Sequence, residues 1–386
     1  MLEVADVVRA AGTEVCARLA VLPSQQQALR CIVQCRTCAL GGELYRCADC
    51  GAYRFSYHSC GNRHCPKCHH QQTEQWLERQ RPRLLPCPYY LLTFTLPSEL
   101  RALARSHQKL VYGLLLSAAA ATIQKLCADS QWLGAQPAMT AVLHTWTRAM
   151  LYHPHAHFLV SAGGLSPDGE SWRKPKNPKF LLPVHALSKI FRAKIRDGLQ
   201  QAGLLTKLPR GFWKSNKKWV VHAQPAGTGE KVLGYLARYL FHIAISNSRL
   251  ERLENGQVTF NYRDNRTQQL VRVRLSAAHF VQRFLQHVLP KGFAKVRHYG
   301  LDSANCRGRH AQAMSLLAPA QVAPAPCQPS MVLPATADGD PHCPRCGKGR
   351  LVWIGELLPH PDGPVLIIPL TGRGRHGPCL YRKIPP

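Results

Sequence analysis

One run of alternating polar and apolar residues lies near the middle of the chain: His153-Pro154-His155-Ala156-His157-Phe158-Leu159-Val160, followed shortly by Gly163-Gly164. Alternation of this kind predicts a β-strand, on which residues i and i+2 point to the same face. His155 and His157 would therefore project together and could share one cation. Taken alone, the pattern also fits two hydrogen-bonded histidines on an amphipathic strand.

Strand-like and helix-like patterns flank this run over about 200 residues. Strands are predicted at 90–96, 139–147, 219–223, 258–262 and 269–275. Helices are predicted at 1–34, 71–84, 97–127, 186–202, 232–243 and 277–288. Mixed strands and helices in this order predict an α+β domain with a mainly antiparallel sheet.

The cysteines point to metal binding in the N-terminal part. Eight of the 16 cysteines fall between residues 31 and 68. The N-terminus has no pattern typical of an export signal, so we expect a reducing, cytoplasmic location, where clustered cysteines bind metals. Two Cys-x-x-Cys pairs would together supply a tetrahedral Zn²⁺ site: Cys47, Cys50, Cys65 and Cys68. Further candidate ligands, which could bind a second ion, are Cys35, Cys60, His58 and His64. The structural alternative is that the cysteines are scattered, buried free thiols.

Composition divides the chain into four parts. Residues 1–85 form a helical lead-in and zinc-binding domain, 88–305 the α+β domain, 312–341 a Pro-rich linker and 342–386 a small C-terminal module. The last module opens with Cys343-Pro344-Arg345-Cys346 and could bind a second Zn²⁺. The two remaining ligands could come from His342, Cys327 or Cys379, and the spacing does not choose among them.

Two tyrosines stand four residues apart in the predicted helix at 232–243. Tyr235 and Tyr239 would lie one above the other on the same helix face. Side by side, the two phenols could act as nucleophiles, provided that a metal-polarised phosphate or a base offsets their usual pKa of about 10. Packing of both rings in the core is the structural alternative.

The charge balance points to a nucleic acid. The chain has 50 Lys and Arg against 21 Asp and Glu, a net charge of +29. Basic residues alternate with aromatic ones in 172–180 and 212–219, a combination typical of single-stranded nucleic-acid binders, although a solvated charged face is the alternative. The candidate DNA contacts are Arg173, Lys174, Lys176, Lys214, Lys217, Lys218 and Arg238. No membrane partner is expected, because the longest apolar run, 110–123, is shorter than a bilayer span.

These features occur together in an order that resembles one protein family. The segment 57–68, which includes Cys60-Gly61-Asn62-Arg63-His64-Cys65, is similar to the zinc-binding module of the two-tyrosine HUH transposases of rolling-circle, IS91-type bacterial insertion sequences. The stretches 88–97, 153–164, 235–250 and 284–293 resemble its other blocks. The resemblance extends from about residue 30 to about residue 300, and the tail segment Cys343-Pro344-Arg345-Cys346-Gly347 is also similar.

The resemblance implies a mechanism and a fold. It implies a ferredoxin-like or RRM-like HUH domain in which His155 and His157 bind Mg²⁺ or Mn²⁺ and Tyr235 and Tyr239 attack single-stranded DNA, forming 5′-phosphotyrosine intermediates. Two imidazoles favour Mn²⁺. The third ligand of this ion could be Asn247, His242 or a glutamine.

Two departures and two alternative functions accompany the resemblance. Leu240-Phe241 and Glu43 replace residues usual in the family, a polar pair and a histidine. A plasmid or phage replication initiator, or a relaxase, would use the same chemistry. A non-catalytic zinc-ribbon regulator would instead make the two histidines and the two tyrosines structural.

Overall fold

The structure is a computed structural model that describes most of the chain. The described residues are 2–18, 21–68, 76–177, 180–214, 219–228, 231–232, 234, 243–264, 266–318, 342–360, 365–369 and 379–383. Antiparallel sheets and helices alternate through them, and the predicted α+β class is confirmed.

The N-terminal part begins with two helices and a hairpin. These are α1 (Val4–Arg18), α2 (Pro23–Gln34), β1 (Gly42–Cys47) and β2 (Tyr53–Tyr57). A proline in the first turn starts α2, where its missing N–H costs no hydrogen bond. Residues 76–80 are helical within the predicted helix 71–84, and 69–75 lie outside the described residues.

A five-stranded antiparallel sheet forms the centre of the molecule, in the order β12-β4-β5-β3-β8. Its strands are β3 (Tyr89–Thr95), β4 (Ala138–Trp146), β5 (Tyr152–Ser161), β8 (Val221–Gly227) and β12 (Val296–Gly300). The alternating histidine run therefore forms the middle strand. β12 was not predicted, because Val-Arg-His-Tyr-Gly lacks an apolar alternation.

Three helices cover one face of this sheet: α3 (Arg101–Ser106), α4 (Gln108–Ala128) and α5 (Val184–Gln201). Phe94, Phe158 and Phe191 meet edge to face in the core beneath them. Among the described helices, α4 alone is long and apolar enough to cross a membrane. Most of its apolar length is buried, as expected for a core helix.

The opposite face of the sheet carries a smaller apolar core. Leu91, Val142 and Leu159 pack there against Val232. The short hairpin β6 (Gly164–Leu165) and β7 (Trp172–Arg173) and the helix α7 (Arg307–Leu317) border this core. α7 occupies the beginning of the linker predicted at 312–341, so ordered structure continues to residue 317.

A second α+β layer connects the N-terminal helices with the central sheet. It consists of β9 (Leu250–Glu254), β10 (Gln257–Arg263), β11 (Leu270–Ser276) and α6 (Ala277–Leu285). Phe260 and Phe280 contact edge to face, and α1 packs on α6. β9 was not predicted, because Leu-Glu-Arg-Leu-Glu is charged and mostly exposed.

The tail of the chain returns to the N-terminal hairpin. β13 (Leu351–Leu358), β14 (Val365–Pro369) and β15 (Cys379–Lys383) extend the hairpin into a sheet of order β15-β14-β13-β1-β2. Leu44 and Leu357 are buried together between β1 and β13. The segment predicted as a separate module, 342–386, thus shares a sheet with the N-terminal module.

Candidate metal centres and active site

Three histidines meet on two neighbouring strands of the central sheet. His155 and His157 share one face of β5, and the strand register places His144 of β4 directly opposite His155. The candidate ligand nitrogens of all three lie within 4.8 Å of one another. His144 was not predicted as a ligand, although it lies in a predicted strand, because the register between strands cannot be read from the sequence.

Hydrogen bonds orient two of these rings from their Nδ1 side. His155 Nδ1–H donates to the carbonyl oxygen of His153 at 2.7 Å, and Thr93 Oγ1 lies 2.9 Å from His157 Nδ1. Because a carbonyl oxygen can only accept, the Nδ1 of His155 carries a proton. This arrangement is usual for histidines that bind a metal through Nε2.

Burial keeps the same imidazoles neutral. It lowers the pKa of His155 to about 4. For His157, burial is again the main cause, and the positive charges of His155 and Lys295 help to lower its pKa to about 2. Neutral imidazole is the form that binds metals, so His155 and His157 are suited to hold a cation at neutral pH.

The donor set narrows the choice of ion. In the described part of the chain, no carboxylate belongs to this group. Mg²⁺ prefers oxygen ligands, whereas Mn²⁺ accepts imidazole more readily. Three imidazoles therefore fit a transition-metal ion better than Mg²⁺.

Two further side chains border the cluster and were not singled out from the sequence. Trp146 stacks on His144 with ring centroids 4.8 Å apart, and Lys295 Nζ lies 5.0 Å from the centre of the Trp146 ring. Burial, with the nearby charge of Arg63, lowers the pKa of Lys295 to about 7. The Lys295 amine therefore lies beside the histidine cluster and loses its proton more readily than an exposed lysine does.

Most of the helix predicted at 232–243, which carries the two tyrosines, lies outside the described residues. Tyr235, Arg238, Tyr239 and His242 lie outside the described residues. Val232, three residues before Tyr235, is fully buried on the sheet face that carries the histidines. Asn247, a candidate third ligand, instead accepts a hydrogen bond from the backbone N–H of Val4 at 3.0 Å.

A first group of four cysteines lies beside α2. It consists of Cys35, Cys60, Cys65 and Cys68, with Sγ–Sγ distances of 3.5 Å for Cys35–Cys68 and 3.6 Å for Cys60–Cys68. Tetrahedral Zn²⁺ with bonds of about 2.3 Å places its sulfurs about 3.8 Å apart, so the group fits this ion. A hydrogen bond from Cys65 is the main cause that lowers the pKa of Cys60 to about 5, and burial raises that of Cys35 to about 11.

A second group joins Cys47 and Cys50 to Cys343 and Cys346. This differs from the predicted site, which joined Cys47 and Cys50 to Cys65 and Cys68. The reason is the hairpin: the first pair lies at its tip, and the second lies beyond its base. At about 3.4 Å per residue, the five residues of β2 separate the pairs by about 17 Å.

The other predicted metal ligands have different roles. His64 Nε2 accepts a hydrogen bond from the backbone N–H of Leu289 at 3.3 Å, and His342 Nδ1 donates to the carbonyl of Lys348 at 3.2 Å. Beside His64, the Arg63 guanidinium donates to the carbonyls of Phe293 (2.6 Å) and Pro290 (2.9 Å). These contacts fasten the zinc-binding module to the segment that leads to Lys295. Cys327 lies outside the described residues.

The basic segments are arranged only partly as predicted. Lys174, Lys176 and Lys214 are exposed, and the exposed Arg173 donates to the carbonyl of Gly134 at 2.8 Å. Lys217 and Lys218 lie outside the described residues. Three of the predicted stacking platforms pack instead against one another and the main core: Phe212, Trp213 and Trp219.

Comparisons with known proteins match two parts of the chain to transposase family models. A family model described as "Putative transposase" matches residues 138–309, and one described as "Transposase zinc-binding domain" matches 7–96. The chain is 38% identical to "Putative transposase y4qJ" of Sinorhizobium fredii, over 94% of this chain and 97% of that protein.

A second relative carries the name of a mobile element. The chain is 32% identical to "Transposase for insertion sequence element IS801" of Pseudomonas savastanoi pv. phaseolicola, over 72% of this chain and 70% of that protein. No solved structure matches the chain significantly. The chain belongs to the IS91-type family of transposases, which act on DNA and carry an N-terminal zinc-binding domain.

Proposed function

We propose that this transposase cuts and rejoins single-stranded DNA at the histidine cluster, with Tyr235 and Tyr239 as nucleophiles. The observation that carries the proposal is the meeting of three imidazoles, with ligand nitrogens within 4.8 Å of one another, on one face of the central sheet. The chain segment that leads to the tyrosines packs on the same face through Val232. An element's ends and its target would be the substrates.

The three imidazoles would hold Mn²⁺, or less favourably Mg²⁺, against the scissile phosphate. His144, His155 and His157 supply the nitrogen ligands, and their strands fix the spacing. When bound, the ion polarises the phosphate and offsets the charge that develops on its oxygens. The hydrogen bonds of His155 and His157 keep both rings oriented for that task.

The tyrosines would supply the covalent step. The phenolic oxygen of Tyr235 or Tyr239 attacks phosphorus, the bond from phosphorus to the 3′ oxygen breaks, and a 5′-phosphotyrosine forms. The phenol loses its proton and the leaving oxygen gains one, which leaves a free 3′-OH. Attack of a 3′-OH on the phosphotyrosine restores a phosphodiester and the phenol, so rejoining needs no external energy source.

Basic side chains would hold the strand at this site. The predicted contacts are Arg173, Lys174, Lys176, Lys214, Lys217, Lys218 and Arg238. Lys295, whose Nζ lies 5.0 Å from the centre of the Trp146 ring, would neutralise a phosphate beside the histidines in its protonated form. The net charge of +29 supports binding to DNA. The proposed location is the cytoplasm, in association with the nucleoid.

A covalent-adduct assay tests the proposal. Purified protein is incubated with a labelled single-stranded oligonucleotide that spans the element's end, with Mn²⁺ or Mg²⁺, and resolved on a denaturing gel. We expect a metal-dependent adduct that is lost in the Tyr235→Phe/Tyr239→Phe double variant and in His157→Ala. The single tyrosine variants then rank the nucleophiles.

The alternatives give other outcomes. A non-catalytic regulator would bind DNA tightly without forming an adduct, and its affinity would be unchanged by the tyrosine and histidine substitutions. A replication initiator or a relaxase would form the same adduct. Paired boundary sequences around the gene would indicate the transposase, and an adjacent plasmid origin would indicate an initiator.

A further inference from the structure

Two turns of the same sequence pattern face each other from opposite parts of the chain. They are Cys47-Ala48-Asp49-Cys50-Gly51 and Cys343-Pro344-Arg345-Cys346-Gly347. In each turn, the glycine N–H donates to the carbonyl of the first cysteine, at 3.1 Å from Gly51 and 2.8 Å from Gly347. Both glycines adopt left-handed backbone angles, with φ of 70° and 71°. The second turn is thus a structural copy of the first.

The four sulfurs of these turns have the spacing that one tetrahedral ion requires. Cys47 Sγ lies 3.7 Å from Cys346 Sγ, and Cys50 Sγ lies 3.8 Å from Cys343 Sγ. Zn²⁺ bonded to four thiolates at about 2.3 Å places its sulfurs about 3.8 Å apart. The pairs interleave, because each cysteine of one turn approaches a cysteine of the other.

The surrounding backbone is shaped to hold these sulfurs. Backbone N–H groups point at two of them, from Cys50 to Cys47 Sγ at 3.5 Å and from Gly349 to Cys346 Sγ at 3.3 Å. A Cβ at Gly349 would lie 2.3 Å from Cys47 Sγ, so the close approach of the two turns requires a glycine there. N–H donors stabilise the charge on a bound thiolate.

Strand pairing aligns the two turns, but little apolar surface holds them together. β1 pairs with β13 in a register that places Cys47 opposite Leu351, and the Ala48 N–H donates to the Arg350 carbonyl at 3.0 Å. The buried apolar groups around the joint are two small clusters: Leu44 with Leu357, and Cys47 with Cys343 and Leu351. A core of this size does not stabilise a fold without a metal or another cross-link.

We propose that Cys47, Cys50, Cys343 and Cys346 bind one Zn²⁺ that clasps the C-terminal tail onto the N-terminal module. The zinc-binding family model ends at residue 96 and the transposase model at residue 309, so neither reaches the tail cysteines. The chain then carries two structural zinc ions, and the sheet that bears the clasp joins the N-terminal hairpin β1–β2 to the C-terminal strands β13–β15. This inference is independent of the proposed cleavage chemistry.

Zinc content of the full chain tests the clasp. We expect two Zn²⁺ per chain in the unaltered protein and in the control Cys306→Ser, whose half-buried thiol lies outside both groups. One ion should remain in Cys343→Ser/Cys346→Ser and in Cys47→Ser/Cys50→Ser. The variant with all four substitutions distinguishes a shared site from separate sites. If the two pairs share one ion, this variant keeps the one Zn²⁺ that they do not bind. If each pair holds one of the two ions, it keeps none.

A conservative variant and a labelling experiment test the clasp even if the serine variants do not fold. Cys346→His keeps a zinc ligand and should retain two ions. In the unaltered protein, mild chelation should expose Cys47, Cys50, Cys343 and Cys346 to N-ethylmaleimide together. The clasp is overturned if the tail variant keeps two ions, if the fourfold variant loses both, or if the tail pair is alkylated while Cys47 and Cys50 stay protected.

Discussion

The histidine cluster and the second cysteine group take their donors from very different distances along the chain. His144 and His157 come from adjacent strands of one sheet and are separated by a short connection. Cys47 and Cys346 are 299 residues apart. The central sheet has a large core on one face and packed groups on the other. The clasp has only a few buried side chains.

The fold of the central sheet positions the histidine cluster, whereas the cysteine groups stabilise the fold around them. Neighbouring strands lie about 4.8 Å apart, so the sheet alone sets the spacing of the imidazoles. Three protein ligands also leave positions for a substrate, whereas four cysteines close the coordination of Zn²⁺. Loss of a cysteine should therefore cost stability, and loss of a histidine should cost metal binding with the fold retained.

Removal of a buried cysteine ligand should have the largest effect. In Cys65→Ser, a four-thiolate site becomes incomplete inside the core shared with α1, α2 and α6. Structural Zn²⁺ contributes about 10–16 kcal/mol in small zinc domains, so we expect loss of one Zn²⁺ and unfolding of the N-terminal module. Zinc analysis and circular dichroism measure both effects.

Cys31→Ser is the matched control. Cys31 lies on α2, is half-buried and belongs to neither cysteine group. It should keep the zinc content and the melting temperature of the unaltered protein. A Cys65→Ser protein that retained two ions and melted like the control would contradict the structural role of the first group.

The buried His287 should produce a smaller, pH-dependent effect. Burial lowers its pKa to about 4, while the unfolded chain titrates near 6.5. Between these values the unfolded chain binds more protons, so its contribution to stability falls as the pH falls from about 6.5 towards 4. The slope is at most about 1.4 kcal/mol per pH unit.

Melting temperatures at pH 7.5 and pH 5.5 test this effect. The decrease on acidification should be smaller in His287→Gln than in the unaltered protein, because the variant has no buried imidazole to protonate. His279→Gln, at an exposed position of α6, should behave like the unaltered protein. Equal decreases in all three proteins would show that His287 does not contribute to the pH dependence.

Much of the secondary structure of the central domain could be predicted, because each strand or helix is encoded by the residue pattern of its own segment. The alternation at 153–160 and the apolar runs at 90–96 and 139–147 predict three strands that the structure contains. The long apolar stretch after residue 97 likewise becomes the helices of the main core. These patterns record which side chains face the core, and that information lies within each segment.

What could not be predicted depends on pairing between distant segments. His144 joins the cluster only through the register of β4 on β5. The tail cysteines join Cys47 and Cys50 through β1 and β13, and a Cys-x-x-Cys spacing does not say which other pair it will meet. Lys295 likewise reaches the site through β12, a short strand with no clear pattern.

Mn²⁺ binding to the full chain tests the three-histidine site most directly. Electron paramagnetic resonance titration of the zinc-loaded protein should show one Mn²⁺ site, with affinity reduced at least about 10-fold in His144→Ala and unchanged in His279→Ala. Zinc content and melting temperature should stay the same in both variants, because the sheet forms without the ion. An unchanged Mn²⁺ affinity in His144→Ala would contradict the assignment of His144 as a ligand and, with it, the proposed catalytic centre.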